Sequence, residues 1–225
     1  MSVASTAVST TMLKSVPLFA SLTPEQMHSL SAMIMRRDAS RGSAVMHEGD
    51  AGDCLYVVLS GRLKVMVGEA DGKETILSII GPGEFFGEMS LIDDNPRSAS
   101  VVAIEPCEML ALTRRDFRKC LVENTLLAMA VMRVLVRRLR EADRKIGSLA
   151  MLDVYGRVAR LLLDMSETVN GQKVVTKRIT KQDIAKMVGA SREMVSKVMK
   201  DLQTSGYIEM QGSSIVLRNT GSGSR

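Results

Sequence analysis

Residues 38–112 carry the pattern that most restricts the fold of this chain. Short runs of apolar and β-branched residues alternate there with glycine-containing turns such as Gly49-Asp50, Gly52-Asp53 and Gly81-Pro82-Gly83. The runs have the length of β-strands and occupy 54–59, 62–67, 75–80, 99–104 and 108–113. Several short strands separated by closely spaced turns predict an antiparallel barrel or roll.

A long helix is predicted after the strands, from residue 116 to about residue 144. Between residues 128 and 149, apolar residues recur at alternating spacings of four and three residues. They are Ala128, Met132, Leu135, Leu139, Ala142, Ile146 and Leu149. A 3.5-residue repeat is the spacing of a seam between two helices. Flanking charged residues leave only a narrow apolar stripe, which favours a homodimer over a helix that packs on its own domain.

The composition excludes several classes of protein. The chain has 225 residues, of which 45% are hydrophobic, and a net charge of +5, so it can form one or two domains and favours an anionic partner. Its three cysteines are widely spaced and odd in number, which fits a reducing cytoplasm better than a disulfide framework. The small polar residues at the start predict a flexible arm at 1–15 rather than a signal peptide, and no apolar run reaches membrane-spanning length. We therefore expect a cytoplasmic protein without a membrane partner.

Positive charge is concentrated in residues 171–200, which hold eight lysines and arginines against two acidic residues. Thr180 followed by Asp183 predicts a capping box at the start of one helix. Gly189 predicts a left-handed turn, and Ser191 predicts the cap of a second helix. The second helix would direct its apolar residues inward and its basic residues outward, which is the pattern of a helix-turn-helix.

A β-hairpin predicted at 207–217, turning at Gly212-Ser213, would add a wing to this motif. A generic amphipathic helix pair would explain the caps and the spacing, but neither the basic outer face nor the wing. We therefore predict binding to double-stranded DNA. The side chains expected to contact DNA are Thr180, Lys181, Gln182, Ser191, Arg192, Glu193, Ser196 and Lys197.

Residues 83–100 combine the features of a phosphate site. Gly87-Glu88 opens a short apolar-periodic run whose first N–H groups would face an anion. After a turn at 93–96, Arg97-Ser98 brings a guanidinium fork and a hydroxyl to the same place. Glu88 would accept hydrogen bonds from a sugar hydroxyl while Arg97 pairs with the negative charge. A ribose phosphate would use both groups.

The run from Phe86 to Ala99, with the pattern F-G-E-x-x-L-I-D-D-x-P-R-S-A, resembles the phosphate-binding cassette of cyclic-nucleotide-binding domains. From about residue 18 to residue 217, the chain resembles the CRP/FNR family of bacterial transcription regulators. The resemblance implies an α+β fold that consists of an antiparallel, nucleotide-binding β-roll at 16–124, a dimerisation helix and hinge at 125–152, and a winged helix-turn-helix at 153–225. It also implies a homodimer that binds palindromic promoter sites and works with RNA polymerase.

The resemblance assigns roles to individual side chains. In the family, the first part of the cassette contacts the ribose, and its arginine and serine contact the cyclic phosphate. The matching residues are Gly87, Glu88, Met89, Ser90, Arg97 and Ser98. On the DNA side, the resemblance implies that Arg192 pairs with a guanine edge and that Glu193 accepts from a cytosine. Lys197 stands where the family has an arginine, and lysine donates to guanine as a point charge rather than as a fork.

The nucleobase of the effector depends on a departure from the family pattern. The family holds adenine with a Thr-Ser pair on the dimerisation helix, and Ala142 and Asp143 occupy those positions here. The Asp143 carboxylate would accept two hydrogen bonds from the N1–H and N2–H₂ edge of guanine, or would form a surface salt bridge with a neighbouring arginine. The predicted effector is therefore cyclic di-GMP, cyclic GMP or cyclic AMP.

Other functions have less support in the sequence. An iron–sulfur sensor needs an N-terminal cysteine cluster, and no cysteine precedes Cys54. A haem sensor would have only His28 and His47 as candidate ligands. We find no metal-ligand cluster, Walker loop or activated nucleophile, so we predict neither a metal site nor the activity of a nucleotide-processing enzyme. A regulator of the same family that binds DNA without a nucleotide, or senses another signal, remains the alternative.

Overall fold

The computed structural model describes residues 8–68, 74–176, 179–212 and 214–218. The chain forms two compact units, 1–139 and 140–225. The boundary falls inside the long helix, whereas the sequence predicts domain limits at residues 124 and 152. The physical reason is that the first half of this helix packs into the core of the first unit through Leu127 and Val131, both 2% exposed.

The first unit is built on strands that form two antiparallel sheets. The strands in the described residues are β1 (Met35–Ala39), β2 (Ala44–Met46), β3 (Cys54–Ser60), β4 (Leu63–Gly68), β5 (Glu74–Ile80), β6 (Phe85–Phe86), β7 (Ser100–Ala103) and β8 (Cys107–Thr113). One sheet has the order β1-β8-β3-β6 and the other the order β2-β7-β4-β5. The predicted antiparallel roll is therefore confirmed, and all five predicted runs lie on strands.

The side chains of β3 and β8 point alternately into two separate hydrophobic cores. Leu55 and Leu112 point into a core that they share with the helices of the first unit. Val58 and Met109 point to the opposite side, into a second core with Leu63 and other residues of the facing sheet. Because successive side chains of a strand face opposite sides, β3 and β8 can serve both cores.

The helices of the first unit surround the first core. They are α1 (Thr10–Lys14), a 3₁₀ turn (Pro17–Phe19), α2 (Pro24–Met33), α3 (Met89–Ile92), α4 (Arg114–Glu123) and α5 (Thr125–Met151), which continues into the second unit. The single helix predicted from residue 116 is two helices, because Asn124 has an extended backbone with φ −137° and ψ 97°. The Asn124 side chain accepts from the Leu127 N–H at 2.8 Å and so caps the start of α5.

Residues 8–15 differ from the flexible arm expected at 1–15. Ser9 caps α1, and both Val8 and Leu13 are buried in the first core. Burial of these apolar side chains gives the segment a fixed place, although its composition is that of an arm. Residues 1–7 lie outside the described residues.

The second unit contains a three-helix core and one small sheet. Its elements after α5 are α6 (Val154–Met165), β9 (Glu167–Val169), β10 (Gln172–Val175), α7 (Lys181–Val188), α8 (Arg192–Thr204), β11 (Ile208–Gln211) and β12 (Ser214–Leu217). The sheet is antiparallel with the order β11-β12-β10-β9. The predicted wing is β11 and β12; Gly212 turns with φ +61°, and Ser213 lies outside the described residues. None of the described helices combines the length and hydropathy needed to cross a bilayer.

Candidate effector site and nucleic-acid interface

Arg97 occupies the centre of the predicted phosphate site and is only 4% exposed. Its Nη1 donates to the Gly87 carbonyl at 2.7 Å and to Ser90 Oγ at 2.9 Å. Its Nη2 donates to the Cys54 carbonyl at 2.7 Å and lies 3.4 Å from Asp53 Oδ1. The adjacent helix α3 has only four residues, so the guanidinium is the main positive group of the site.

Two glycines allow the backbone to approach Arg97 closely. Gly87 has φ +83°, and a Cβ there would lie 2.6 Å from Arg97 Nη1. A Cβ on Gly52 would lie 2.1 Å from Ser90 Oγ and 3.4 Å from Arg97 Cζ. The sequence identifies Gly87 as part of the site but indicates only a turn at Gly52, because nothing in the local pattern reveals the contact with Ser90.

A cavity of about 380 Å³ lies beside Arg97. Its lining consists of Val45, Met46, Asp50, Ala51, Asp53, Tyr56 and Arg97. The Tyr56 ring stacks on Phe86 with centroids 5.2 Å apart, which holds this aromatic side chain in place. The volume is within the range of small-ligand sites.

Glu88 is 3% exposed and is paired with Arg138, a residue of α5 that the sequence does not identify as part of the site. Arg138 Nη1 donates to Glu88 Oε1 at 2.8 Å, and Nη2 donates to the Phe85 carbonyl. The guanidinium also lies 5.1 Å from the Phe85 ring centroid, a cation–π distance. In the sequence, Arg138 is one of many charges beside the apolar repeat, so its contact 50 residues away has no local signal.

The remaining predicted ligand residues differ in exposure and in the unit to which they belong. Ser90 is buried against Arg97, whereas Met89 and Ser98 are exposed, with the Ser98 hydroxyl 3.7 Å from the Met89 sulfur. Asp143 is exposed on α5, in the second unit, and makes no hydrogen bond or ion pair within the described parts of the chain. The surface salt bridge that is the alternative role of Asp143 is therefore not formed with any described residue.

The second site is the pair of helices α7 and α8. Thr180 Oγ1 accepts from the Asp183 N–H at 3.1 Å, and Asp183 Oδ2 accepts from the Thr180 N–H at 3.3 Å, so the predicted capping box is present. Gly189 ends α7 with φ +64°, as the turn requires. Ser191 Oγ accepts from the Met194 N–H at 3.1 Å and caps α8.

The outer face of α8 carries polar side chains. The residues of the helix that pack into the core of the second unit are Val195, Val198, Met199 and Leu202. Arg192, Glu193 and Lys197 are exposed, Ser196 is half-buried, and the three charged groups have no partner in the part of the chain that the structure describes. Thr180, Lys181, Gln182 and Ser191 are also exposed, at the first turns of α7 and α8. The Thr180 hydroxyl donates to Asp183 Oδ2, whereas the Ser191 hydroxyl accepts from the Met194 N–H and donates to no described residue.

The cysteines do not form a reactive centre. Cys54 and Cys107 are buried and Cys120 is half-buried. Burial raises the pKa of all three thiols, so the nucleophilic thiolate is scarce at neutral pH. No group of three or more His, Cys, Asp or Glu suited to a metal ion occurs within the described ranges.

Comparison with known proteins assigns both halves of the chain. Residues 36–124 match the cyclic nucleotide-binding domain, and residues 156–221 match the Crp-like helix-turn-helix domain. The CRP-like cAMP-activated global transcriptional regulator of Mycobacterium tuberculosis is 33% identical over 90% of this chain and 92% of that protein. The cyclic AMP receptor protein of Thermus thermophilus is 36% identical over 92% of this chain and 94% of that protein.

A solved structure gives the same result. The c-di-GMP responsive global regulator CLP of Xanthomonas campestris superposes with a TM-score of 0.70 at 31% identity, over 84% of this chain and 96% of that chain. A cyclic-nucleotide-binding domain joined to a helix-turn-helix defines a DNA-binding, cyclic nucleotide-responsive transcription regulator. The chain belongs to the CRP/FNR family of such regulators.

Proposed function

We propose that the protein is a homodimeric regulator whose affinity for palindromic promoter DNA is set by a cyclic nucleotide. The observation that carries the proposal is that one chain joins a buried arginine in a glycine-shaped cassette to a helix whose exposed face holds Arg192, Glu193 and Lys197. Either feature alone has other uses. Together they fit an effector site and a DNA-reading site that communicate.

The effector would bind through its cyclic phosphate at Arg97 and Ser98 and through its ribose at Gly87 and Glu88. Met89 and Ser90 complete this segment, and Arg138 adds a positive group beside Glu88. Cyclic AMP, cyclic GMP and cyclic di-GMP remain the candidate effectors. Similarity to cAMP-activated regulators supports the first, and similarity to a c-di-GMP responsive regulator together with the exposed carboxylate of Asp143 supports a guanine nucleotide.

The dimer would form along α5. Leu127 and Val131 are buried in the core of the first unit, on one side of α5. Leu135 packs at the edge of the same core. Four residues of the predicted seam are left 48–66% exposed, and they are Met132, Leu139, Ile146 and Leu149. Since water-exposed apolar rows of this kind are costly, we propose that a second copy of the chain covers them.

The two copies of α8 would then enter successive major grooves, about 34–36 Å apart. Arg192 would pair with a guanine and Glu193 with a cytosine, while Ser196 and Lys197 contact neighbouring base edges. Thr180, Lys181, Gln182 and Ser191 would contact phosphates and so fix the register. A regulator bound at a promoter would act on RNA polymerase, which we propose as its protein partner.

A second candidate function is DNA binding without any nucleotide. One observation favours it, namely that the Arg97 guanidinium already donates to two carbonyl groups and to Ser90. A phosphate at this site would exchange with these acceptors, and the exchange offsets part of the binding free energy.

The test separates the two functions. Duplexes selected from a random palindromic library are titrated with the purified protein, and fluorescence anisotropy is measured without nucleotide and with each of the three nucleotides. We expect one nucleotide to change the affinity for the selected duplex by roughly 5- to 150-fold. Equal affinity under all four conditions would leave the nucleotide-independent regulator, and absence of a selected sequence would contradict both functions.

Replacing Arg192 by alanine should remove base discrimination. The variant is expected to lose about 1–3 kcal/mol at the selected duplex, and little at a duplex in which the contacted G·C pair is changed to A·T. Lys181→Ala is the matched control, because a phosphate contact should weaken both duplexes alike and reduce the salt slope by about one. An equal loss on both duplexes for Arg192→Ala would show that this side chain does not read a base.

A further inference from the structure

Asp94 has an unusual backbone in the turn that leads from α3 to Arg97. Its φ is +61°, a left-handed value that non-glycine residues seldom adopt, although aspartate and asparagine tolerate it best. Its Oδ1 accepts from Arg118 Nη2 at 2.8 Å and from Arg114 Nη1. Both arginines belong to α4, so the carboxylate joins the cassette to a helix that is 20 or more residues away in the chain.

Each of the two arginines also binds a backbone carbonyl close to Arg97. Arg118 Nε donates to the Leu91 carbonyl at 2.7 Å, in α3. Arg114 donates to the Gly52 carbonyl through Nε at 3.2 Å and through Nη2 at 2.6 Å. Gly52 in turn lies against Ser90 and Arg97, because a Cβ at this position would collide with Ser90 and touch Arg97. The two arginines therefore hold both chain segments between which the Arg97 side chain lies.

The charge of Asp94 maintains this arrangement. The hydrogen bond from Arg118 lowers the pKa of the Asp94 carboxyl, so the group is ionised at neutral pH. The side chain of Asp94 is 65% exposed, and each ion pair taken singly is therefore worth little. The cluster contributes mainly by restricting geometry. One carboxylate that binds two guanidinium groups of α4 restricts the position of the turn relative to that helix.

We infer that Asp94 is a positioning residue for the effector site, which holds Arg97 in place through Arg114 and Arg118 without touching the effector. The inference rests on the proposed function, since it concerns how the same cassette binds a cyclic nucleotide. Side chains that bind a ligand need support that holds them to within about half an ångström, and the cluster supplies that support from α4.

Asp93 provides a matched comparison within the same turn. Its carboxylate accepts only from the Asn95 N–H at 3.1 Å and from Asn95 Nδ2 at 3.0 Å, among the residues described. It therefore stabilises the turn mainly through Asn95. It makes no hydrogen bond to α4 among the residues described, and the charge of Arg114 is only the last of the causes that lower its pKa. Loss of charge at Asp93 and loss of charge at Asp94 should have different effects on the effector site.

The experiment compares Asp94→Asn and Asp93→Asn with the wild type by isothermal titration with cyclic AMP, cyclic GMP and cyclic di-GMP. Asparagine keeps the tolerance for a left-handed backbone, so Asp94→Asn removes the negative charge and one acceptor oxygen without changing the backbone of the turn. We expect affinity for the bound nucleotide to fall about five- to tenfold in Asp94→Asn and to stay within about twofold in Asp93→Asn. Affinity for non-specific DNA, which does not involve the cassette, should be unchanged in both variants.

A double variant tests whether Asp94 acts through Arg118. The variant Asp94→Asn/Arg118→Gln should lose little further affinity. Its affinity for the nucleotide should be at most about threefold below that of the single variant that binds more weakly, because both substitutions remove the same interaction. If Asp94→Asn fails to fold, the more conservative Arg118→Lys tests the inference instead. We expect its affinity for the nucleotide to fall about threefold or more.

The outcomes are distinct. Wild-type protein that binds none of the three nucleotides overturns the proposed effector function and this inference with it. Wild-type protein that binds a nucleotide, together with Asp94→Asn that binds it equally well, overturns the inference alone. Equal losses in Asp94→Asn and Asp93→Asn also overturn it, because they would mark a general role in the turn.

Discussion

Arg97→Leu should bind no cyclic nucleotide at concentrations that saturate the wild type. The variant loses the hydrogen bonds of a guanidinium to the phosphate, each worth about 1.5–3 kcal/mol. Two such bonds correspond to a loss of more than about a hundredfold in affinity. Isothermal titration measures the loss, and DNA anisotropy should show that the nucleotide response disappears while non-specific DNA affinity remains.

The buried position of Arg97 requires a control for folding. Leucine removes the guanidinium donor of the Gly87 and Cys54 carbonyls, at a cost of about 1–3 kcal/mol for each group left unsatisfied, although the Ser90 hydroxyl still lies 3.4 Å from the Gly87 carbonyl. Urea unfolding gives the actual loss, and Arg97→Lys, which keeps a charge but not the fork, should restore part of the binding. Arg36→Leu is the matched variant, since the half-buried Arg36 of β1 pairs with Glu108 of β8 and does not line the cavity beside Arg97. Nucleotide binding by a folded Arg97→Leu within threefold of the wild type would place the phosphate elsewhere.

Leu139→Glu should convert the protein to a monomer with weak operator affinity. The Leu139 side chain is 63% exposed in the single chain, so the substitution removes little from its own core. In the proposed dimer it would place two like charges in an apolar seam. Loss of the second half-site contact should lower operator affinity by about 100- to 10,000-fold. Sedimentation equilibrium and anisotropy on the selected duplex measure both effects.

Val122→Glu is the control for this substitution. Val122 is an 86% exposed apolar residue on α4 and lies outside the predicted seam. The same change of an exposed apolar side chain to glutamate should therefore leave the dimer and its operator affinity unchanged. A dimeric Leu139→Glu, or a monomeric wild type, would show that a second copy does not cover this row.

The fold could be predicted from the sequence wherever a local pattern determines it. Glycine-containing segments precede β3 and β4 and follow β5, and the capping residues Thr180 and Ser191 marked the starts of α7 and α8. Several short elements were missed, and two of them depend on distant partners. The polar strand β1 is held by backbone pairing with β8, and α1 is ordered because Leu13 is buried in the core.

The candidate site divides in the same way. Gly87, Glu88 and Arg97 lie within one motif of eleven residues, so the sequence brings them together by itself. Gly52 and Arg138 come from segments 45 and 41 residues away from Arg97. Only the closed roll brings Gly52 to Arg97, and only the packed helix brings Arg138 to Glu88. A pattern read along the chain cannot indicate such contacts, because neither a turn glycine nor a helical arginine is unusual where it stands.

Arg138 and Leu139 are neighbours on α5, so a side chain bound to Glu88 and a side chain of the proposed dimer row share one helical turn. A nucleotide whose ribose takes Glu88 away from Arg138 would therefore disturb the turn that carries Leu139. Thermodynamic reciprocity then acts in the opposite direction with the same free energy. Protein already seated on its operator should differ from free protein in nucleotide affinity by the same factor by which the nucleotide changes operator affinity.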